Sequence, residues 1–276
     1  PGSGLEALEH ESRSVRARLS GGQEITARWV IAADGVYSTV RKLVAPVPEA
    51  YLGEWHAFRQ YFTGVDDQRL WVLFERDLLP GYAWVFPLGD GRANVGFGLP
   101  RRPGVSVRPM AAVWRDLPGR PALRAVLGNG VAEGTHRAWP IPADLSRAPL
   151  AIGRVLFAGD AAGATDPMTG EGIAQALTTG TLAADAVLAG GPPVVVAARY
   201  VAAVERHLGP DLRFAGRLGR ILQSPLGARA AVRAAGLSDW SRRNFARWLF
   251  EDYPRAQVLT PGRWRRGAMS RPGAYR

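Results

Sequence analysis

The spacing of apolar positions changes along the chain, and each change marks an element. Ser14-Val15-Arg16-Ala17-Arg18-Leu19 alternates, Ser20-Gly21-Gly22-Gln23 turns, and the run from Glu24 to Ala33 resumes, which predicts a hairpin. Its second strand stops alternating at Trp29-Val30-Ile31-Ala32-Ala33. A strand apolar on both faces belongs in a covered parallel sheet. It ends at Asp34-Gly35, after which Ser38, Thr39 and Arg41 open a short helix.

From about residue 50 to 142 the pattern is one of short aromatic and β-branched runs. Gln60 to Val65, Arg69 to Glu75, Tyr82 to Pro87 and Arg92 to Leu99 are separated by turn signals such as Leu79-Pro80-Gly81 and Gly89-Asp90-Gly91. They predict an antiparallel sheet. A helical stretch from Val107 to Leu127, interrupted near Pro118 to Pro121, precedes one more strand around Thr135 to Ile141. Then Val155-Leu156-Phe157-Ala158 runs into Gly159-Asp160, and a helix follows with Ile173, Leu177, Gly180, Ala184, Val187 and Leu188 on one stripe. Gly190-Gly191-Pro192-Pro193 ends that helix. Beyond Val194 the chain reads as helical to about Phe250, with Pro210 and Pro225 as breaks.

Composition narrows the classes. The formal charge of +11 suggests an anionic partner, but Lys42 is the only lysine and the arginines are scattered outside any nucleic-acid motif. Nucleic acid is therefore not expected. With no cysteine there is no disulfide, thiolate metal site or cysteine nucleophile, which is compatible with a cytoplasmic protein. No metal site is expected. Without a run of eighteen apolar residues or a signal peptide, no membrane span is expected. The mixture of Trp240, Arg243, Phe245, Trp248 and Leu249 allows peripheral contact with a membrane, although an ordinary surface helix has the same composition. Arg263, Arg265, Arg266, Arg271 and Arg276 fall in a Gly/Pro-containing tail that reads as a solvated terminus.

Two strand ends carry the chemistry. Gly159-Asp160-Ala161-Ala162-Gly163 places a carboxylate at the carboxyl edge of a parallel sheet, where α/β folds bind ligands. Asp160 can there accept hydrogen bonds from sugar or ribityl hydroxyls, while the small residues bring the backbone close. Asp166-Pro167-Met168-Thr169-Gly170-Glu171-Gly172-Ile173 then leads into a helix whose first amides and dipole favour negative charge. At the first strand end, Gly35 permits a tight turn, and Ser38 and Arg41 are placed to hold helix and phosphate groups. Asp34 reads either as part of that site or as a helix cap.

These segments resemble the flavoproteins of the glutathione-reductase-like superfamily, which includes para-hydroxybenzoate-hydroxylase-like monooxygenases, halogenases and geranylgeranyl reductases. The form Asp166-Pro167-x-Thr169-Gly170-Glu171-Gly172-Ile173 is most similar to the geranylgeranyl reductase branch. The resemblance implies FAD as cofactor, with Asp160 on the ribityl chain, Gly172 and Ile173 giving amides to the isoalloxazine, and Asp34, Gly35 and Arg41 near the pyrophosphate and ribityl region. It also brings Gly159, Ala161, Gly163, Pro167 and Gly170 into the cofactor site. Tyr82, Trp84 and Phe86, two apart on one strand, form one face that is either core or the wall of an apolar chamber. The sequence Tyr82-x-Trp84-x-Phe86-Pro87 resembles the strand that lines the lipid cavity in geranylgeranyl reductases.

The implied fold is α/β, α+β overall: a partial three-layer ββα Rossmann-like FAD domain with an inserted antiparallel-sheet substrate domain and C-terminal helices. The expected divisions are 1–45 and 146–192 for the FAD domain, 46–145 for the substrate domain and 193–276 for the helical region and tail. The Gly-x-Gly-x-x-Gly loop that binds the FAD diphosphate is absent: Pro1-Gly2-Ser3-Gly4 has no preceding strand, and Gly216 and Gly219 lie in a helical region. The expectation is a fragment of a longer protein that binds FAD weakly by itself. The implied reaction is hydride transfer from reduced flavin to an alkene of a small apolar prenyl or lipid substrate, with NAD(P)H or another reductant as donor. A monooxygenase acting on an aromatic or polyketide-like substrate and a non-catalytic flavoprotein fragment are the alternatives. No side chain stands out as general acid or base; His56 and His136 read as structural.

Overall fold

The computed structural model describes residues 3–45, 53–101, 108–222, 224–239 and 241–242. The aromatic and arginine mixture beginning at Trp240 and the basic tail lie outside the described residues, apart from residues 241 and 242. In chain order the strands are β1 (Leu5–His10), β2 (Val15–Leu19), β3 (Glu24–Ala27), β4 (Val30–Ala32), β5 (Trp55–Thr63), β6 (Trp71–Leu73), β7 (Tyr82–Gly89), β8 (Arg92–Pro100), β9 (Val131–Ile141), β10 (Ala151–Ile152) and β11 (Val155–Phe157). The α-helices are α1 (Thr39–Val44), α2 (Arg108–Asp116), α3 (Pro121–Leu127), α4 (Ile173–Leu188), α5 (Pro193–Leu222) and α6 (Pro225–Ala235). The chain divides into two compact units, Pro1–Tyr51 with Pro142–Ala215 and Phe250–Arg276, and Leu52–Ile141 with Gly216–Leu249.

In the first unit, β11 lies between β10, antiparallel to it, and β4, parallel to it in register Val155↔Val30. Val155 and Phe157 pack with Ala32 and Val40, supported by Leu5 and Leu8 of β1, whereas Leu156 packs with Ala183, Ala186, Val196, Tyr200 and Val204 of the helices. The layers are thus an outer antiparallel sheet, the parallel pair and the helices, and β11 is covered on both faces as its unbroken apolar run requires.

The structure departs from the sequence pattern at four points. The strand read from Glu24 to Ala33 is two strands in two sheets: β3 pairs with β2 outside, and β4 enters the covered sheet. The change of pattern at Trp29 is where the chain passes between layers. Leu5-Glu6-Ala7-Leu8-Glu9-His10, rich in helix formers, is nonetheless β1, because pairing with β2 overrides its propensity. Most of the bulky stripe on α4 faces outward: Ile173 is 75% exposed, Leu177 69% and Leu188 82%, whereas Val187 packs beside Ala183 and Ala186, which with Thr179 form the buried face. Pro210 does not break α5. Gly209 before it has no Cβ to clash with the proline ring, and the buried Val196, Tyr200, Val204 and Ala215 hold the helix through it.

The second unit is a five-stranded antiparallel sheet in the order β6-β7-β8-β5-β9. Its core face carries Phe58, Phe62, Ala83, Val85, Ala93, Val95 and Phe97, packed against Met110 and Trp114 of α2 and Leu123, Val126 and Leu127 of α3. Trp114 stacks on Phe97 with centroids 6.3 Å apart. Successive strand residues alternate faces, so Tyr82, Trp84 and Phe86 stand on the face opposite these helices.

Candidate functional site

At the end of β11 the backbone turns sharply. Gly159 has φ +57, and its amide donates to Thr179 Oγ1 of α4 at 2.9 Å. Residues 159–162 form one 3₁₀ turn closed by Gly163 in the left-handed conformation. Glycine is required there, because a Cβ on Gly163 would come within 2.7 Å of the Asp144 carbonyl oxygen. The turn presents Asp160, whose carboxyl is pushed above its ordinary range by burial, against the lowering effect of a hydrogen bond from Thr165 Oγ1 at 3.1 Å.

Residues 166–172 are organised by Asp166, which is 2% exposed. Its Oδ1 accepts from the amides of Met168 (2.9 Å) and Thr169 (2.8 Å) and from Thr169 Oγ1 (3.0 Å). The Asp166 amide donates to Glu171 O, and the Gly170 amide, at φ +75, donates back to Asp166 O. The loop closes on itself and delivers Gly172 as the N-cap of α4, with no side chain capping the helix. The first amides of α4 are therefore directed outward without a capping acceptor from a side chain. A Cβ on Gly172 would lie 3.1 Å from Thr165 Oγ1 and 3.4 Å from Asp160 Oδ1, so the helix start stands directly beside the carboxylate.

The first strand end is tied to the same place. Gly35 adopts φ +79, Asp34 Oδ2 accepts from the Val40 amide at 3.0 Å, and Ser38 Oγ caps α1 by accepting from the Arg41 amide at 2.9 Å. Arg41 Nε and Nη2 both donate to Ala161 O, at 3.0 and 2.8 Å, and Nη1 donates to Pro149 O at 3.1 Å. Its guanidinium lies 3.7 Å from the Phe157 ring centroid. Burial pulls the Arg41 guanidinium below its usual range, with Asp34 opposing the shift. Arg41 is thus a brace between the two motifs, with its donors turned to carbonyls.

Asp34, Gly35, Arg41, Gly159, Asp160, Ala161, Gly163, Pro167, Gly170, Gly172 and Ile173 all belong to the first unit, and Tyr82, Trp84 and Phe86 to the second. In the second unit Trp84 and Phe86 stack at 6.0 Å, and Trp84 Nε1 donates to Asn94 Oδ1 at 3.2 Å. Thr165 and Thr179 shape the first site without having been singled out from the sequence, and Asp166, which the motif included, had been given no role of its own. Threonine or aspartate beside glycine reads as an ordinary loop or helix residue, and only burial shows their bonding. His136 is stacked on Phe58, and His56 is buried and pulled below its ordinary range by desolvation and by Arg101.

The FAD binding domain family matches residues 2–186. A menaquinone reductase of Mycobacterium tuberculosis is 30% identical over 261 residues, covering 81% of this chain and 56% of its own length. Digeranylgeranylglycerophospholipid reductase 2 of Methanothermobacter thermautotrophicus is 30% identical over 210 residues, covering 73% and 52%. The chain thus spans about half the length of the curated relatives it matches. Among solved structures, a geranylgeranyl bacteriochlorophyll reductase-like protein of Thermoplasma acidophilum superposes with a TM-score of 0.71 at 21% identity, over 94% of this chain and 69% of that one. A single-residue variant of Klebsiella pneumoniae HpxO complexed with FAD has a TM-score of 0.65 at 17% identity, over 90% and 67%. These two likenesses show a shared fold.

Proposed function

Since the chain belongs to the FAD-binding domain family, we propose that its first unit holds the ribityl and ring end of FAD in a flavin-dependent reductase acting on alkenes of an apolar, prenyl-type lipid. The observation that carries the cofactor assignment is the apposition of Gly172 to Asp160. A flavin suits that pairing: ribityl hydroxyls are donors for a carboxylate, and the negative pyrimidine edge of a reduced ring suits the start of a helix. In this reading Asp160 receives the ribityl hydroxyls, and Gly159, Ala161 and Gly163 keep the backbone close. Gly172 and Ile173 offer their amides to the ring, and Pro167 and Gly170 shape the loop between. Asp34, Gly35 and Arg41 act by fixing α1 and the Ala161 carbonyl.

When bound, FAD supplies the hydride, drawn from NAD(P)H or another reductant. The protein's part is to bind and orient. The reductase reading rests on the relatives named as reductases and on Tyr82, Trp84 and Phe86, which stand outside the helix-packed core and suit an apolar chain. Among the described residues no helix is long and apolar enough to cross a membrane. A lipid substrate would be reached from the cytoplasm by peripheral contact.

The cofactor part is tested by equilibrium dialysis against FAD, with bound flavin read from its visible absorbance. Gly172→Ala is expected to fold and to lose about tenfold in affinity, because the new methyl group fills the space beside Asp160; unchanged binding would sink the assignment. The reaction is tested anaerobically with chemically reduced flavin and a prenyl lipid, gain of two hydrogens being read by mass spectrometry. Oxygen-dependent hydroxylation without alkene reduction would replace the reductase reading with the monooxygenase one.

A further inference from the structure

Helix α6 of the second unit is firmly joined to α5 yet stands apart from any core. Ser224 Oγ caps it by accepting from the Gly227 amide at 2.9 Å, and a Cβ on Gly227 would lie 2.3 Å from the carbonyl oxygen of Ile221 at the end of α5. The corner between the two helices is therefore closely built. Beyond it, Ala228 is the one residue of α6 that is buried, and none of the three hydrophobic cores of the described residues includes an α6 side chain.

The outward side of α6 mixes leucine with arginine. Leu226 is 78% exposed, and Leu237, about three turns further on and just past the cap Gly236, is 82% exposed. Ala230, Arg233 and Ala234 between them are exposed as well. The end of α5 repeats the mixture with exposed Arg217, Arg220 and Ile221. No Asp or Glu occurs from Leu212 to Ser238. Arg213 is paired with Glu205, whereas Arg217, Arg220, Arg229 and Arg233 form no ion pair among the described residues. An arginine-rich chain accounts for arginines on a surface helix, and a single exposed leucine is ordinary. Neither accounts for leucines left in water at both ends of a helix that reaches no core, with unpaired arginine between them.

We infer that this face of α6, with the end of α5, is the surface by which the chain docks on an anionic phospholipid bilayer. Leu226 and Leu237 enter the boundary of the acyl region, while the arginines lay their stems along it and hold their guanidiniums at the lipid phosphates. Charge complementarity selects this partner. A nucleic acid would engage the arginines and leave both leucines in water. The centre of a protein–protein interface is depleted of charge, whereas here Arg233 stands between the leucines. A bilayer boundary accepts both side-chain types on one helix face. The inference rests on the lipid-substrate reading given above and adds the surface through which the chain reaches its lipid.

Cosedimentation of the intact chain with vesicles of phosphatidylcholine, alone or with phosphatidylglycerol as the minor component, tests the surface. The wild type is expected to bind the anionic vesicles about 10- to 100-fold more tightly than the neutral ones. That preference is expected to shrink as salt rises from about 0.1 M to about 1 M and the screening length falls from about 10 to about 3 Å. Arg229→Gln/Arg233→Gln is expected to lose about 10- to 30-fold in affinity for the anionic vesicles, and Leu226→Glu/Leu237→Glu about tenfold or more for both kinds. Leu70→Glu, at a leucine 72% exposed elsewhere in the same unit, is expected to change nothing. All these side chains are exposed or half-buried, and unchanged far-ultraviolet circular dichroism checks that each variant is folded. No preference for the anionic vesicles, full binding by the leucine double variant, or an equal loss in Leu70→Glu overturns the surface. So does a chain that ignores every vesicle while its leucines hold together a dimer or its arginines a duplex DNA complex. Vesicle binding without reduction of a prenyl lipid upholds the surface and overturns the reductase reading. Reduction of a detergent-solubilised prenyl lipid by a chain that stays off vesicles does the reverse.

Discussion

Asp166 shows how much of the candidate site depends on one buried oxygen. Its Oδ1 accepts all three hydrogen bonds that bend residues 166–169. Asp166→Ala would strand two amides and a hydroxyl in the interior and is expected to destabilise the chain by about 2–3 kcal/mol. Asp166→Asn keeps one acceptor oxygen and should recover most of that loss; equal destabilisation in urea titrations of both variants would contradict this account. Asp160 is the converse case, because burial raises its pKa. A raised folded value favours the protonated form, so its contribution to stability is present below the ordinary carboxylate pKa of about 3.9 and is lost as pH rises through the folded value. At neutral pH the ionised carboxylate opposes folding. Asp160→Asn is therefore expected to melt higher than the wild type at pH 7, with the difference shrinking at acidic pH, while FAD affinity drops. A variant no more stable than the wild type at pH 7 would count against the burial argument.

At the scale of elements, α5 secures the strand that ends in the candidate site. Tyr200 is fully buried, its hydroxyl donates to the Phe157 carbonyl oxygen, and burial holds its pKa above the usual range. Tyr200→Phe removes that donor and is expected to cost about 1–3 kcal/mol, measured as a lower denaturation midpoint. In the sheet, Gly96→Ala would place a methyl 2.4 Å from both Phe58 O and the Trp84 ring. A loss of about 1–3 kcal/mol follows from such overpacking, with altered near-ultraviolet circular dichroism from the displaced indole. These elements differ in how legible they were. The strands of the second unit were legible as short aromatic and β-branched runs between turn signals, since one face of the sheet meets helices. The α4 stripe misled because Ile173 and Leu177 are apolar yet exposed, while the buried face is made of Ala183, Ala186 and Thr179. Small side chains bury well against a strand and leave little trace in hydropathy.

At the scale of the whole molecule, FAD binding and folding are linked if the first unit is the cofactor site. FAD at a hundredfold excess over its dissociation constant is expected to stabilise that unit by about 2.7 kcal/mol, seen as a rise in the melting temperature; a melt insensitive to FAD would weigh against the site. The sequence by itself determined the glycine turns at both strand ends and the antiparallel middle region, because glycine turns and runs of apolar residues are local properties of the chain, and the resemblance those motifs carry implied the FAD family. Only the tertiary structure decided that Glu24 to Ala33 divides between two sheets, that β1 is a strand, that Arg41 braces Ala161, and that Trp84 lies across Gly96. Each of those depends on a partner distant in sequence. Burial, register and hydrogen bonding exist only once the two sides of a contact have been brought together.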